Sequence, residues 1–199
     1  MSTLIRLATP TDGPALATIY SPAVTAGAIS FELEAPDGDE MGRRVERLIV
    51  RTPWLVCVHD GTVVGYAYAS PHRDRPAYQW SVEMSAYVSA DVRRAGVGRA
   101  LYASLFAVLA LQGFQNAYAG ITLPNAASVG FHLAAGFTLV GTYRDVGYKL
   151  GKWHDVMWLE RALAPHSTTP TPPTPLQMVA NSPALASALA TGLPLLRLA

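Results

Sequence analysis

The residues best placed to do chemistry form the run Arg93-Arg94-Ala95-Gly96-Val97-Gly98-Arg99. It lies between an apolar, strand-like segment ending near Ser89 and an amphipathic, helix-like segment from Gly98 to Leu111. A strand that turns through glycines into a helix leaves backbone N–H groups without partners, and the positive end of the helix dipole points the same way. Such a turn binds phosphate. Gly96 and Gly98 let the main chain approach an anion with no Cβ in between. Arg93, Arg94 and Arg99 add guanidinium groups suited to phosphate oxygens. A phosphorylated ligand is expected here; the competing interpretation is an ordinary basic, solvated turn.

Two familiar phosphate loops do not fit. A Walker-type loop needs Lys followed by Ser or Thr, whereas Arg99-Ala100 follows Gly98. A dinucleotide fingerprint needs a third small residue where Leu101 stands, and it opens a first βαβ unit rather than lying mid-chain.

Two titratable residues stand out next. Glu83 lies in the apolar, aromatic segment Gln79 to Ser89, where strand alternation puts Ser81, Glu83, Ser85 and Tyr87 on one face. Burial there would raise a carboxyl toward the range of a general base; a cross-strand ion pair is the competing role. His132 follows Asn125 by seven residues, so the two sit nearly in line on one helical face. A core-packed helix histidine and a plain N-cap asparagine are their ordinary roles. Arg73 and Arg75, in Pro71-His72-Arg73-Asp74-Arg75-Pro76, suit bidentate pairing with a carboxylate, or a solvated loop.

The elements that must position these groups are legible as patterns. Leu4 to Ala8 alternates as a strand, and Thr11-Asp12 is expected to cap a helix through about Ser21. Asp37 to Val50 has helical spacing, with Met41, Val45, Leu48 and Ile49 on one face. Trp54 to His59 and Thr62 to Ser70 flank Asp60-Gly61, a hairpin signal. After the strand Gln79 to Ser89 and the helix Gly98 to Leu111 come a strand at Ala117 to Leu123 and a helix at Asn125 to Ala135, ended by Gly136. Phe137 to Tyr148 and Trp153 to Arg161 close as strands. The order β α α β β β α β α β β predicts an α/β mixed sheet with helices on both faces.

Composition bounds the rest. The 199 residues suffice for one full domain, and 50% are hydrophobic. A net charge of +1 argues against a dedicated nucleic-acid binder. The single Cys57, inside Trp54 to Val58, is expected as a buried, unreactive strand residue in a reducing cytoplasm. The start MSTLIRLATPTD has no apolar leader, and no apolar run reaches membrane-spanning length, so no membrane association is expected. From Ala164 the chain changes to a Pro/Thr-rich linker and an apolar, low-complexity stretch from Leu176 to Ala199. This tail is expected to be mobile, with a short docked helix between Ser182 and Thr191 as the alternative. Residues 1–163 are expected to form the domain and 164–199 the linker and tail.

Arg-x-x-Gly-x-Gly after a strand resembles the pyrophosphate loop of the GCN5-related N-acetyltransferases (GNAT), and the element order is similar to theirs. The resemblance sharpens in Ala77-Tyr78-Gln79-Trp80, Glu83, Tyr87-Val88-Ser89, Leu123-Pro124-Asn125, Ser128-Val129, His132 and Gly147-Tyr148-Lys149-Leu150-Gly151-Lys152-Trp153-His154-Asp155-Val156. Together these look like the phosphinothricin N-acetyltransferase group, over residues 3 to 163. The resemblance implies the GNAT fold with splayed central strands and acetyl-CoA as co-substrate, with no metal. It implies direct acetyl transfer to the α-amine of a small amino acid analogue of the phosphinothricin, methionine sulfoximine or methionine sulfone type. It further implies a homodimer, in which Lys149, Trp153 and His154 orient the second subunit's site.

Roles follow residue by residue from the same resemblance. Glu83 would be the base. His132 would protonate the leaving thiolate, where many relatives carry Tyr; an imidazolium near ~6.5 can protonate a thiolate whose conjugate acid is near ~8.5. Arg93, Arg94, Ala95, Gly96, Val97, Gly98 and Arg99 would hold the diphosphate. The peptide-like pantetheine would pair with the strand edge at Ala86, Tyr87 and Val88, where an N–H near Tyr87 or Val88 polarises the thioester, and with Asn125 and Ser128. Phe31, Arg73, Arg75, Tyr78 and Tyr87 would line the acceptor pocket. Gln79 stands where the pattern often has Asp, which changes the polarity of that pocket. The alternatives are acetylation of a peptide or protein N-terminus, and a CoA-binding module without activity.

Overall fold

The apolar run Trp54-Leu55-Val56-Cys57-Val58 has no polar face, so a strand there must be covered on both sides. The computed structural model, which describes residues 2–198, has that covering. The chain forms β1 (Thr3–Leu7), α1 (Gly13–Thr25), α2 (Gly38–Leu48), β2 (Trp54–His59), β3 (Thr62–Pro71) and β4 (Ser81–Val88). It continues with α3 (Val97–Gln112), β5 (Asn116–Thr122), α4 (Ala126–Ala134), β6 (Thr138–Lys149) and β7 (Lys152–Ala162). Two short helices follow, α5 (Leu176–Val179) and α6 (Pro183–Ala190). Trp54, Val56 and Val58 of β2 pack with Leu16, Tyr20, Met41 and Val45 of α1 and α2. Leu55 and Cys57 pack on the other face with Leu101, Leu105 and Leu109 of α3.

The seven strands form one sheet in the order β1-β2-β3-β4-β5-β7-β6. Every neighbouring pair is antiparallel except β4 and β5. Those two pair only at Ser81↔Asn116, Val82↔Ala117 and Glu83↔Tyr118, and then part. The expected mixed sheet with helices on both faces is thus present, and its one parallel junction is open. Asp60 and Gly61 make the expected hairpin, both with positive φ (45° and 78°), as a type I′ turn requires.

Three expectations need correcting. The first helix is entered through a 3-10 turn at Pro10–Asp12, and the Asp12 carboxylate pairs with the two terminal guanidinium nitrogens of Arg6 at 2.7 Å instead of capping α1. That helix also runs past Ser21 to Thr25, through Pro22, because Ala23 and Val24 are buried in the core. The strand expected from Gln79 starts at Ser81, since Pro76–Tyr78 forms a 3-10 turn closed by Gln79 N–H on Pro76 O at 3.1 Å.

The tail is not loose. Trp80 Nε1 donates to Thr171 O at 2.7 Å, and Gln112 Nε2 donates to Thr174 O at 2.8 Å, laying the linker along the domain. Leu176 and Leu185 are buried against Val108 of α3, with Leu7 and Ile49 beside them. Ser182 accepts from Leu185 N–H and caps α6, the helix foreseen as the alternative. The reason is visible in α3 itself: it is apolar on more than one stripe, and the sheet covers only one of them. Among the described residues no helix is long and apolar enough to cross a membrane.

Candidate active site

The glycine loop meets α3 as anticipated. Gly96 caps the helix at φ +81°, in the left-handed region that glycine tolerates. The first intrahelical bond runs from Ala100 N–H to Gly96 O at 2.9 Å. The amides of Val97, Gly98 and Arg99 therefore point out of the helix end without helical partners. Arg93, Arg94 and Arg99 are exposed and take part in none of the ion pairs among the described residues. Arg94 also sits at φ +67°, a conformation that costs a non-glycine residue roughly 1–3 kcal/mol.

Where β4 and β5 part, a cleft opens beside this loop. Its outer part, a cavity of 540 Å³, is lined by Thr18, Ile19 and Pro22 of α1, by Ala86 to Val88, and by Arg93, Asn125 and Ser128. Its inner end lies between Met84–Tyr87 and Gly120–Thr122, with His132 at the bottom. Ser89 N–H donates to Val64 O, and His72 N–H donates to Ser81 O, so odd-numbered residues of β4 face β3. By alternation the main-chain groups of Ala86 and Val88 face the open side, and those of Tyr87 do not. Of the two amides considered for the thioester, Val88 is the one aimed into the cleft. Tyr87 contributes its ring, edge-on to Tyr20 at 4.8 Å. Asn125 Oδ1 accepts from Ser128 N–H at 3.1 Å, which caps α4 and leaves the side-chain amide N–H free to donate.

His132 is held differently from the expected imidazolium. Its Nδ1 is 2.8 Å from Ser128 O, a carbonyl that can only accept, so Nδ1 carries the hydrogen. Nε2 then accepts from the Tyr102 hydroxyl at 2.9 Å. The ring packs edge-on against Tyr102, Phe131 and Phe137. Burial lowers its pKa, so the neutral form prevails near pH 7.

The residues expected on the acceptor side form a cluster of side chains. Glu83 Oε1 accepts from Arg73 Nη1 at 3.2 Å and lies 3.0 Å from His72 Nδ1. A third of the Glu83 side chain (32%) is exposed, so its surroundings are polar rather than the apolar burial expected. Ser81, Glu83, Ser85 and Tyr87 do share the face expected of them, since they alternate along the continuous strand β4. Arg73, Arg75 and Tyr78 line one small cavity of 130 Å³ beside the cluster. Phe31 stands apart, its ring against Gly147 and 6.1 Å from His154.

Sequence reasoning missed His72, Tyr118 and Trp158. His72 stacks on Tyr118 at 4.3 Å and meets Trp158 edge-on at 5.9 Å. The Trp158 Nε1 is buried without a partner among the described residues, and Arg73 lies over its ring at 5.8 Å. Strand register supplies the missing signal: Ser70 pairs with Glu83, placing His72 beside it, and Gly120 pairs with Trp158, leaving room for the ring. Lys149 and His154 turn inward within this chain. Lys149 Nζ donates to Val24 O and Ser30 O at 2.6 and 2.7 Å, and His154 bonds Lys149 O at 3.1 Å. Trp153 remains exposed against Tyr148. Cys57 is buried, and burial pushes its thiol up to about 11.

A mixed sheet that opens at a parallel junction beside a glycine-capped helix terminus suits an extended ligand with a phosphate end. A sequence model described as an acetyltransferase (GNAT) domain matches residues 5–158, and the chain belongs to the GNAT family and is an N-acetyltransferase. It is 41% identical over 175 residues to a phosphinothricin N-acetyltransferase of Streptomyces viridochromogenes, covering 88% of this chain and 93% of that protein. It is 32% identical over 164 residues to an L-methionine sulfoximine/L-methionine sulfone acetyltransferase of Salmonella typhimurium, covering 82% and 96%. The crystal structure of a GNAT phosphinothricin acetyltransferase from Sinorhizobium meliloti, in complex with AcCoA, superposes with a TM-score of 0.80. That chain is 34% identical, with 86% of this chain and 94% of that one covered.

Proposed function

We propose that the protein transfers acetyl from acetyl-CoA to the α-amine of a small amino acid analogue. The observation that carries this is the junction of β4 and β5, which pairs over three residues and then exposes main chain next to a basic, glycine-capped loop. The loop amides and Arg93, Arg94 and Arg99 suit a diphosphate. The open edge at Ala86 and Val88 suits the amides of pantetheine, and the Asn125 side-chain N–H suits one of its carbonyls. This disposition fits the coenzyme and needs no metal ion. The phosphinothricin and methionine sulfoximine relatives support an acceptor carrying an α-amine beside an acidic group. Arg75 and Arg73 are the donors on that side, with the Trp158 N–H, unpartnered among the described residues, buried beneath Arg73.

The acceptor amine arrives mostly as ammonium at neutral pH and must lose a proton before attack. His72 and Arg73 occupy Glu83 Oε1, so Oε2 takes that proton. Met84 is the first residue of β4 to line the cleft, so Glu83 lies just outside it and works through one water. The nitrogen lone pair then forms the C–N bond with the thioester carbonyl, whose oxygen accepts from Val88 N–H. The C–S bond breaks, and the second proton of the nitrogen goes to the thiolate. His132 stays neutral and fixes the inner wall of the cleft through Ser128 and Tyr102.

Thiol release from acetyl-CoA, measured over phosphinothricin, methionine sulfoximine, methionine sulfone, ordinary amino acids and short peptides, tests this. Release with one or more of the first three is expected. Release with peptides alone would overturn the acceptor assignment, and coenzyme binding without turnover on any amine would overturn the enzymatic one.

A further inference from the structure

The segment after residue 175 has no part in the mechanism above, yet it touches the coenzyme loop. Arg197 N–H donates to Ala95 O at 2.8 Å, in the middle of Arg93–Arg99. Leu195 O approaches Gly96 so closely that a Cβ there would collide with it. Gly192 packs against Ala100 O with the same lack of room. Ser104 Oγ donates to Leu189 O at 2.7 Å and accepts from Gly192 N–H at 3.1 Å. Leu185 is buried against Val108. These contacts trace α3 from its middle back to its first turn and end on the loop. The matched GNAT region ends at residue 158, so the whole segment lies beyond it.

The loop needs such a tie. Ala95 stands between Arg94 at φ +67° and Gly96 at φ +81°, two departures from ordinary backbone with one residue between them. Arg93, Arg94 and Arg99 also repel one another while no anion is bound. Donors aimed in advance bind an anion without an ordering cost. We infer that residues 176–198 form a strap that holds the diphosphate loop in its binding conformation, with the Arg197 amide as its terminal tie. Arg197 is thus a positioning residue that acts through Ala95. This rests on reading Arg93–Arg99 as the coenzyme loop.

Arg197→Pro removes the N–H together with the charged side chain. The preceding Leu196 has φ −74° and ψ 141°, the extended geometry that proline requires of its predecessor. Arg197→Ala keeps the N–H and removes the charge. Calorimetry and steady-state kinetics on the full chain should give Arg197→Pro an acetyl-CoA Kd and KM roughly three- to tenfold higher, the loss of one hydrogen bond. Its kcat at saturating coenzyme and its amine KM should match the parent, and Arg197→Ala should stay within about twofold. Parent-like coenzyme binding by Arg197→Pro would overturn the strap, as would an equal loss in Arg197→Ala. Linkage adds a test on the unaltered chain: acetyl-CoA should slow proteolysis within 176–198. Equal cleavage rates with and without coenzyme would also overturn it. Failure of the parent to bind acetyl-CoA at all would instead bring down the loop assignment, and the strap with it.

Discussion

The two sides of the cleft are built from different material. On the side proposed for the coenzyme the framework is mostly main chain, the amides at the start of α3 and the open edge of β4, to which Arg93, Arg94, Arg99 and the Asn125 amide add side chains. On the side proposed for the acceptor the working groups are side chains brought from the loop after β3 and from β4, β5 and β7: His72, Arg73, Glu83, Tyr118 and Trp158. Main chain held by helix and sheet is the same for any sequence that folds this way, so it suits a co-substrate shared by a family. Side chains on strands change without changing the fold. Acceptor choice therefore belongs to that half.

Removing the ionisable group of Glu83 is the sharpest way to separate the two halves. Glu83→Gln should lower kcat by about 10²–10⁴ at neutral pH, the usual worth of a general base, with the Kd for acetyl-CoA unchanged. Rapid-quench rates and calorimetry on the same preparation check both. Unchanged turnover would remove Glu83 from proton transfer, and a weakened Kd would show that the two sides are coupled.

The same contrast explains what could be foreseen from sequence. Gly96, Gly98 and the cap at Asn125 act through backbone geometry, which local residue types dictate, and they lie where the sequence places them. The strand-by-strand order follows from alternation and from turn residues such as Asp60-Gly61. His72 was passed over because only the pairing of β3 with β4 brings it to Glu83, and pairing register is a tertiary property. The polar surroundings of Glu83 were hidden for the same reason, since Arg73 reaches it across a loop. The packed tail was legible only as the docked-helix alternative: Gly98 to Leu111 reads as amphipathic, whereas α3 is buried on more than one face, and nothing local to the tail says what it covers.

A smaller effect tests the division of labour within the acceptor half. Arg73 is already tied to Glu83 and lies over Trp158, while Arg75 takes part in no ion pair among the described residues. Arg75→Ala should raise the amine KM about tenfold, at the low end for a charged hydrogen bond because the loop is exposed. The acetyl-CoA KM should not move. Should Arg73→Ala raise the amine KM instead while Arg75→Ala does nothing, the two arginines exchange roles.

The smallest effect concerns His132, a buried side chain at the inner end of the cleft. Burial lowers its pKa in the folded state, so the fold favours the neutral ring. Below about pH 6.5 the unfolded chain binds a proton there that the folded chain resists. His132 therefore contributes stability that is fully present above pH 6.5. That contribution is lost as the pH falls toward the folded pKa, at up to ~1.4 kcal/mol per pH unit. His132→Gln has no such proton to take up, so its urea-unfolding stability should fall less steeply with acid across that window. Its lost hydrogen bond lowers the whole curve without tilting it, which is why the slope is the quantity to compare. Equal slopes would mean that His132 titrates in the fold as it does in the open chain. The imidazolium would then be available to the thiolate, and proton delivery would return from the substrate nitrogen to this histidine.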